Sequence, residues 1–479
     1  MNILLYILCA LILGISNLSF ADSVLKSDLG DQKSVEVTVY NSNIGLVKDT
    51  RTIVLPQGKG ELHFMDVAAS VMPETVHIKP LDPLNSVSIL EQNYEYDLIN
   101  ETKLLDKYIG KKIKLLKENP YNNQKETVEA ILLSNNSGQV YQVGNEIYLG
   151  FDGQKILPQM PENLVAQPTL TWLYNSPTAG KKPVEVSYLT NGLNWKAAYV
   201  LVVDESDTKG GLSGWVSLSN NSGATYNNAK LKLVAGQVNR AQDLMAVGRV
   251  YAAKAIKMEQ DSGSAFTEKS FFEYHIYDLA RLTTIKDNEN KQVSLLEAND
   301  LKVQKEFIVG NSPLSYFFQI YRTNDYKVPV NVFINFKNSK ENNLGMPLPA
   351  GTIRLYKSDS DKSLQFIGED NISHTPKDEN VRLKIGEAFD VVAERKQTDY
   401  KLIANNLHQS SWEVTLRNHK KEDIIVSVLE NMESYGQWDI VTSSHGYQKQ
   451  DVSSVKFNVP VPKDGEVKLT YTVQIRTAY

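Results

Sequence analysis

The chain has 479 residues, 42% hydrophobic and 22% charged, with a net charge of −5 and both signs interspersed. Such a length can bury several cores and points to roughly two to four domains. The charge balance gives no basic field for nucleic acid, and a single cysteine, Cys9, excludes any disulfide within the chain.

An apolar run from Ile3 to Ile15 is followed by Ser19-Phe-Ala21 and then Asp22. Small residues at Ser19 and Ala21 predict a secretory signal peptide cut after Ala21, although no Lys or Arg precedes the run. The run is too short for a bilayer core that needs roughly twenty residues. Cys9 falls inside this segment, and the large Leu8 before it does not fit a lipoprotein site. The expectation is an exported, periplasmic protein without a transmembrane helix in the mature chain, stabilised by burial alone.

From Val35 the pattern is β. Val35, Val37 and Val39 alternate with polar residues, and Ile44–Leu55, Leu62–Val67, Val76–Pro80 and Val87–Asn93 continue as strands. Residues 22–105 read as an N-terminal β region that pairs with 166–240. Residues 106–165 hold several short strands between Asn/Gly turns, which suggests a small barrel-like module. Residues 166–240 form a central β region. Within it Trp195–Val203 alternates at period two, Leu212–Leu218 is a second strand, and Ala229–Val234 sets Leu231 and Leu233 opposite Lys230 and Lys232. Trp195 and Trp215 are both expected in the core.

Residues 241–270 change texture. Leu244, Val247, Tyr251, Ala255 and Met258 share one helical face, which predicts a short helix in a mobile loop and a candidate partner-binding stripe. From 271 to 479 strand-like runs recur every 8 to 15 residues. Among them are Phe272–Tyr277, Lys291–Glu297, Leu301–Ile308, Lys327–Phe336, Phe389–Arg395 and Lys401–Asn406. The predicted fold class is mainly β, with antiparallel β-sandwich domains and the small inserted barrel-like module; no βαβ alternation is present.

The catalytic screen returns little. No His-Glu-x-x-His, nucleophile elbow, phosphate loop or cysteine site is present. Ser453-Ser-Val-Lys456 matches Ser-x-x-Lys, but in the alternating run Val452–Val459 the Ser and Lys face opposite ways. The seven histidines are scattered, so no metal site and no cofactor is expected. Glu369 and Asp370, with Asp359 and Asp361 and the nearby His374, form the best candidate cluster for two-carboxylate glycan hydrolysis. Acidic residues beside Gly and Asn are more often solvated turn residues. Trp195, Trp215, Trp412 and Trp438 could stack on sugars, yet aromatic residues in strands more often fill cores. Leu469, Tyr471, Val473, Ile475, Thr477 and Tyr479 share a face that resembles the last strand of an outer-membrane barrel. Thr477 interrupts that face, so an ordinary final strand is expected.

Taken in order, several segments resemble the exported bacterial proteins classed as the domain of unknown function 4139 family, the mucoidy-inhibitor-like group. They are Tyr188–Arg240, Phe272–Asp278, Lys291–Glu297, Gly345–Gly351, Phe366–Asp370, His374–Asp378 and Gly386–Val391. The stretches Tyr40–Val71 and Lys107–Leu157 are similar as well, whereas the long central coiled coil of some members is missing. The resemblance implies a mostly β fold and an exported location, and it carries no site residues. The expected role is a non-catalytic interaction or scaffold module of the cell envelope, its partner an envelope protein or glycan. The alternatives are a glycan-binding or glycan-hydrolysing protein and an outer-membrane β-barrel.

Overall fold

The computed structural model describes residues 24–83, 86–95, 99–118, 125–161, 167–236, 238–239, 266–310, 326–432 and 436–477. It is mainly β, 67% strand and 4% helix, with several sheets of which none closes into a barrel. The chain forms two compact units. One comprises Met1–Val37, Leu46–Asn191 and Asn221–Ala229; the other comprises Thr38–Gly45, Gly192–Asn220 and Lys230–Tyr479.

In the first unit a four-stranded sheet runs in the order Leu25–Ser27, Gly58–Met65, Thr169–Ser176, Ser88–Glu95. Alternation puts Leu62 and Phe64 on the buried face with Leu170, Trp172 and Tyr174. The Phe64 and Trp172 rings lie 5.0 Å apart. Arg51 is fully buried beside them, its guanidinium 3.7 Å from the Phe64 ring centroid. It donates to Asp49 Oδ2 and to the Ser27 and Met65 carbonyls, so the charge is paired and its donors are used.

The expected small module is a five-stranded sheet in the order Glu146–Leu149, Val140–Val143, Lys125–Ser134, Lys112–Glu118, Gln154–Ile156. A helix, Glu101–Asp106, precedes it, its N-terminus capped by the Asn100 side chain accepting from Lys103 N–H. Leu105, Tyr108, Ile113, Leu115, Ala130, Leu132 and Tyr141 form its core. The barrel-like closure expected from sequence is not formed. The outer strands have only four and three residues, and the sheet stays open.

The second unit holds three further sheets. The first has the order Glu289–Lys302, Lys209–Asn220, Leu193–Val203, Gly351–Ser358, Leu364–Ile372. A six-stranded sheet follows the order Asn380–Glu387, Val330–Lys337, Gln304–Gly310, Ile424–Asn431, Ser454–Val461, Tyr447–Lys449. A five-stranded sheet follows the order Tyr326–Val328, Val391–Ala404, Leu407–Asn418, Gly465–Thr477, Gly436–Ser443. These last two sheets share one core, in which Val309, Val426 and Phe457 of one meet Trp412, Leu416 and Tyr471 of the other.

Several expectations need correction. Pairing is not uniformly antiparallel: Leu25–Ser27 runs parallel to Gly58–Met65, Leu193–Val203 to Gly351–Ser358, and Gln304–Gly310 to Ile424–Asn431. Each joins strands distant in sequence, where no hairpin fixes direction. Lys291–Glu297 belongs to one strand reaching Lys302, and Lys401–Asn406 is largely absorbed into Val391–Ala404, both carried through by bulges. Lys327–Phe336 is broken at Pro329, which has no N–H to give. Phe266–Ser270, assigned to the loop, lies in the strand Phe266–Phe271, which pairs with Tyr274–Leu279. The final strand Gly465–Thr477 buries Leu469, Tyr471, Val473 and Ile475 in the shared core, so this face meets protein, and the outer-membrane-barrel alternative falls with it.

Candidate functional site

The acidic cluster does not assemble. Glu369 and Asp370 are neighbours on the strand Leu364–Ile372 and therefore face opposite ways. Glu369 Oε2 lies 3.1 Å from Arg354 Nε. Asp370 accepts from the Asn371 and Lys384 backbone N–H groups, both at 2.8 Å. Asp359 is the hub of a turn, accepting from the Asp361 and Ser363 N–H groups and the Gln365 side chain. Among the described residues no group of three or more His, Cys, Asp or Glu is placed to hold a metal ion. The stripe Leu244, Val247, Tyr251, Ala255 and Met258 lies outside the described residues, as does the segment from Met1 to Asp22.

His374 instead helps to tie down the Gly345–Gly351 loop. Its Nδ1 accepts from the Ala350 N–H at 3.1 Å, which places the ring proton on Nε2. Tyr277 and Tyr199 donate to the Pro347 and Pro349 carbonyls, and Leu348 bridges Thr375. The buried Asn338 donates to the Met346 and Pro376 carbonyls and accepts from the Gly345 N–H. Four segments that carry the family resemblance thus meet in one fastening.

Burial, then the charge of His275, holds His374 below its ordinary value of 6.5. His275 itself donates from Nδ1 to Glu268 at 2.7 Å. With the folded value depressed, the unfolded chain binds the proton more readily, so stability present above about 6.5 is lost as pH falls through the lower folded value. Hydrogen exchange at Ala350, corrected for its intrinsic rate, should therefore speed up as pH falls below about 6.5. His374→Asn, which keeps an acceptor but does not titrate, should remove that acceleration.

The tryptophans divide. Trp195, Trp412 and Trp438 are buried, whereas Trp215 is 41% exposed, contrary to expectation. In Lys209–Asn220 the even positions Leu212, Gly214, Val216 and Leu218 face inward, so pleating turns Trp215 outward. Gly214 takes the inward place because Leu296 and Tyr199 fill the space a Cβ would need.

Two other segments of the resemblance meet at the surface. Phe366–Asp370 lies on the last strand of its sheet, and Gly386–Val391 spans the loop before Val391–Ala404. Between them opens a cavity of about 260 Å³ lined by Phe307, Ile334, Ile367, Ile385 and Phe389. Phe389 is 95% exposed, and Ile367, which lines the same cavity, is exposed as well. The sequence pattern put Phe389 in a strand; the signal overlooked was its setting between Gly386 and Asp390, a turn composition. At the polar rim Asp207 bridges Lys305 at 2.7 Å and Lys357 at 2.5 Å. Burial pushes the Asp207 carboxyl up, but the hydrogen bonds and charges of the two lysines outweigh it and hold it below the ordinary range. The arrangement offers apolar contact beside a closed ion bridge, with Glu387 and Asp390 also in the lining.

The turn that carries Asp207 begins at Asp204. Desolvation opposes ionisation there, yet hydrogen bonds from Ser206 Oγ and the Lys209 and Thr208 N–H groups hold the carboxyl at about 2. The folded value is depressed, so the contribution is complete above the ordinary value of about 4 and is lost as pH falls toward about 2. Asp204→Asn should flatten the acid limb of a Tm–pH curve across that interval. The group is largely solvated, so the change should be small.

No curated protein matches the chain. Among the described residues no helix is long and apolar enough to cross a membrane. A family model described as "Domain of unknown function (DUF4139)" matches residues 184–478. This range covers the central strands, the Gly345–Gly351 fastening and the exposed surface at Phe389, and the chain belongs to that family.

Proposed function

We propose that the protein is an exported, periplasmic component of the cell envelope that acts without catalysis, as an interaction module. Its docking surface is the cavity bordered by Ile367, Ile385 and Phe389, and its occupant is an apolar segment of a partner protein. The supporting observation is Phe389, 95% exposed, with the exposed Ile367 lining the same cavity. Exposed apolar side chains grouped at a cavity mark interaction sites. The two facing sheets of residues 304–477 serve as a β-sandwich scaffold that presents it.

A photo-crosslinking residue at position 389 tests the reading in cells, with one at Leu149, itself 85% exposed, as control. A discrete protein adduct at 389, absent at 149 and abolished by Ile367→Asp, supports docking. Equal labelling at both positions, or none at 389, overturns it. The N-terminal sequence of the mature protein tests export, which requires a new terminus at Asp22.

A further inference from the structure

We infer that the outer face of the six-stranded sheet is a binding site for a neutral oligosaccharide. This goes beyond protein docking at Phe389, because it concerns a different surface.

Alternation buries Phe307, Val309, Val426 and Val428 in the shared core and turns Gln304, Glu306, Ile308 and Leu429 to the opposite face. There they line a concavity of about 510 Å³, within the range of about 300–1,000 Å³ common for ligand sites. Flanking hollows of about 370 and 410 Å³ share Gln304 with it. The three hollows adjoin through shared lining residues, an extended arrangement suited to a chain-like ligand more than to a compact one.

Backbone N–H and C=O groups in the middle of a sheet are committed to its ladders, so a ligand on this face must be recognised by side chains. An extended peptide would have to forgo the main-chain bonds that make strand addition favourable. The concavity is lined by four carboxamides, four charged side chains, two serines and two aliphatic residues. Asn335 stands opposite both Gln304 and Arg382 in register, giving a polar row across three strands, and Asn380 and Gln450 lie at the margins. Carboxamides donate and accept at once, which matches the vicinal hydroxyls of a sugar. Ile308 and Leu429 supply apolar floor for its C–H faces.

The charges cancel. Glu306 is 3.5 Å from Arg382, whose guanidinium also lies 4.3 Å over the Phe333 ring. Asp451, beside Lys456, is already engaged by Ser453 and Ser454. Across the three hollows five acidic and five basic side chains balance, which selects neither a polyanion nor a polycation and favours an uncharged polyhydroxyl ligand.

The full chain can be titrated calorimetrically with maltohexaose, cellohexaose and chitohexaose as neutral probes, and with hexagalacturonate as an acidic one. At least one neutral hexasaccharide should bind, about fivefold or more tighter than its trisaccharide because it spans adjoining hollows. Gln304→Ala combined with Asn335→Ala should weaken it by about tenfold or more, while Phe389→Ala should leave it unchanged. Gln304 is exposed and Asn335 half-buried; Asn380→Ala, at an exposed position, repeats the test should the double variant misfold. Binding by none of the neutral probes, tighter binding of hexagalacturonate, or affinity indifferent to these variants overturns the inference. Loss with Phe389→Ala but not with Gln304→Ala and Asn335→Ala would place the sugar at the docking surface instead, and overturns it too.

Discussion

Glu430→Leu is expected to destabilise the C-terminal sheets by about 3–5 kcal/mol. Arg395 lies on Val391–Ala404 and Glu430 on Ile424–Asn431, so their ion pair joins the two sheets that share a core. Both side chains are almost wholly buried, at 4% and 1% exposure. Arg395 Nη1 donates to both Glu430 oxygens, Nη2 donates to Tyr471 Oη, and the guanidinium lies 4.3 Å over the Trp412 ring. Removing the carboxylate alone strands a guanidinium in low dielectric, which costs far more than the pair contributed. Arg395→Met together with Glu430→Leu should recover most of the loss, since neither desolvated charge then remains. Urea unfolding followed by tryptophan fluorescence separates these outcomes. A single variant costing less than about 1 kcal/mol would mean that water reaches the pair.

Trp195→Ala should cost a similar amount, about 3–5 kcal/mol, whereas Trp215→Ala should stay within about 1 kcal/mol. Trp195 is 1% exposed, packs edge-on against Tyr277 at 6.2 Å and donates from Nε1 to the Val234 carbonyl at 3.2 Å. Truncation leaves a cavity and an unpaired buried acceptor together. Trp215 projects from the other face of its sheet and leaves neither. Parallel urea titrations of the two variants give the contrast directly. Comparable losses would place both rings in the core and contradict the pleat.

The central strands were legible because their signal is local. Leu231 and Leu233 against Lys230 and Lys232 fix both the strand and its buried face, and Leu231 and Leu233 are fully buried. The same rule, applied to Leu212, Val216 and Leu218, would have put Trp215 outside; its size obscured its parity. Gly180–Asn191 carries equally clean alternation, masked by Pro183 within it, whereas Thr169–Ser176 is buried along most of its length and offers little alternation to read. What period-two patterning cannot reveal is which strands become neighbours. Glu369, Asp370 and His374 are close in sequence, yet the strand sends the two carboxylates to opposite faces and His374 into the Gly345–Gly351 fastening. Conversely, Ile367 and Phe389 line one cavity only because sheets built from distant segments bring them there. A surface of that kind leaves no local motif.

The parallel ladder between Leu193–Val203 and Gly351–Ser358 also bears on how the chain reaches this state. Ala197 stands beside Gly351 and Val203 beside Lys357, so the central strand is synthesised long before the strand that completes its flank. At about 5–20 residues per second on the ribosome, that interval lasts roughly 8–30 s. Contacts of such high order form late and slowly, and meanwhile one edge of the most apolar strand in the second unit is open to any passing strand. Tyr199, whose hydroxyl finds its acceptor only at Pro349, waits for the same stretch of chain. The strand Gly351–Ser358 thus closes this edge of the central strand in time as well as in space, and a nascent chain halted before it keeps an adhesive edge.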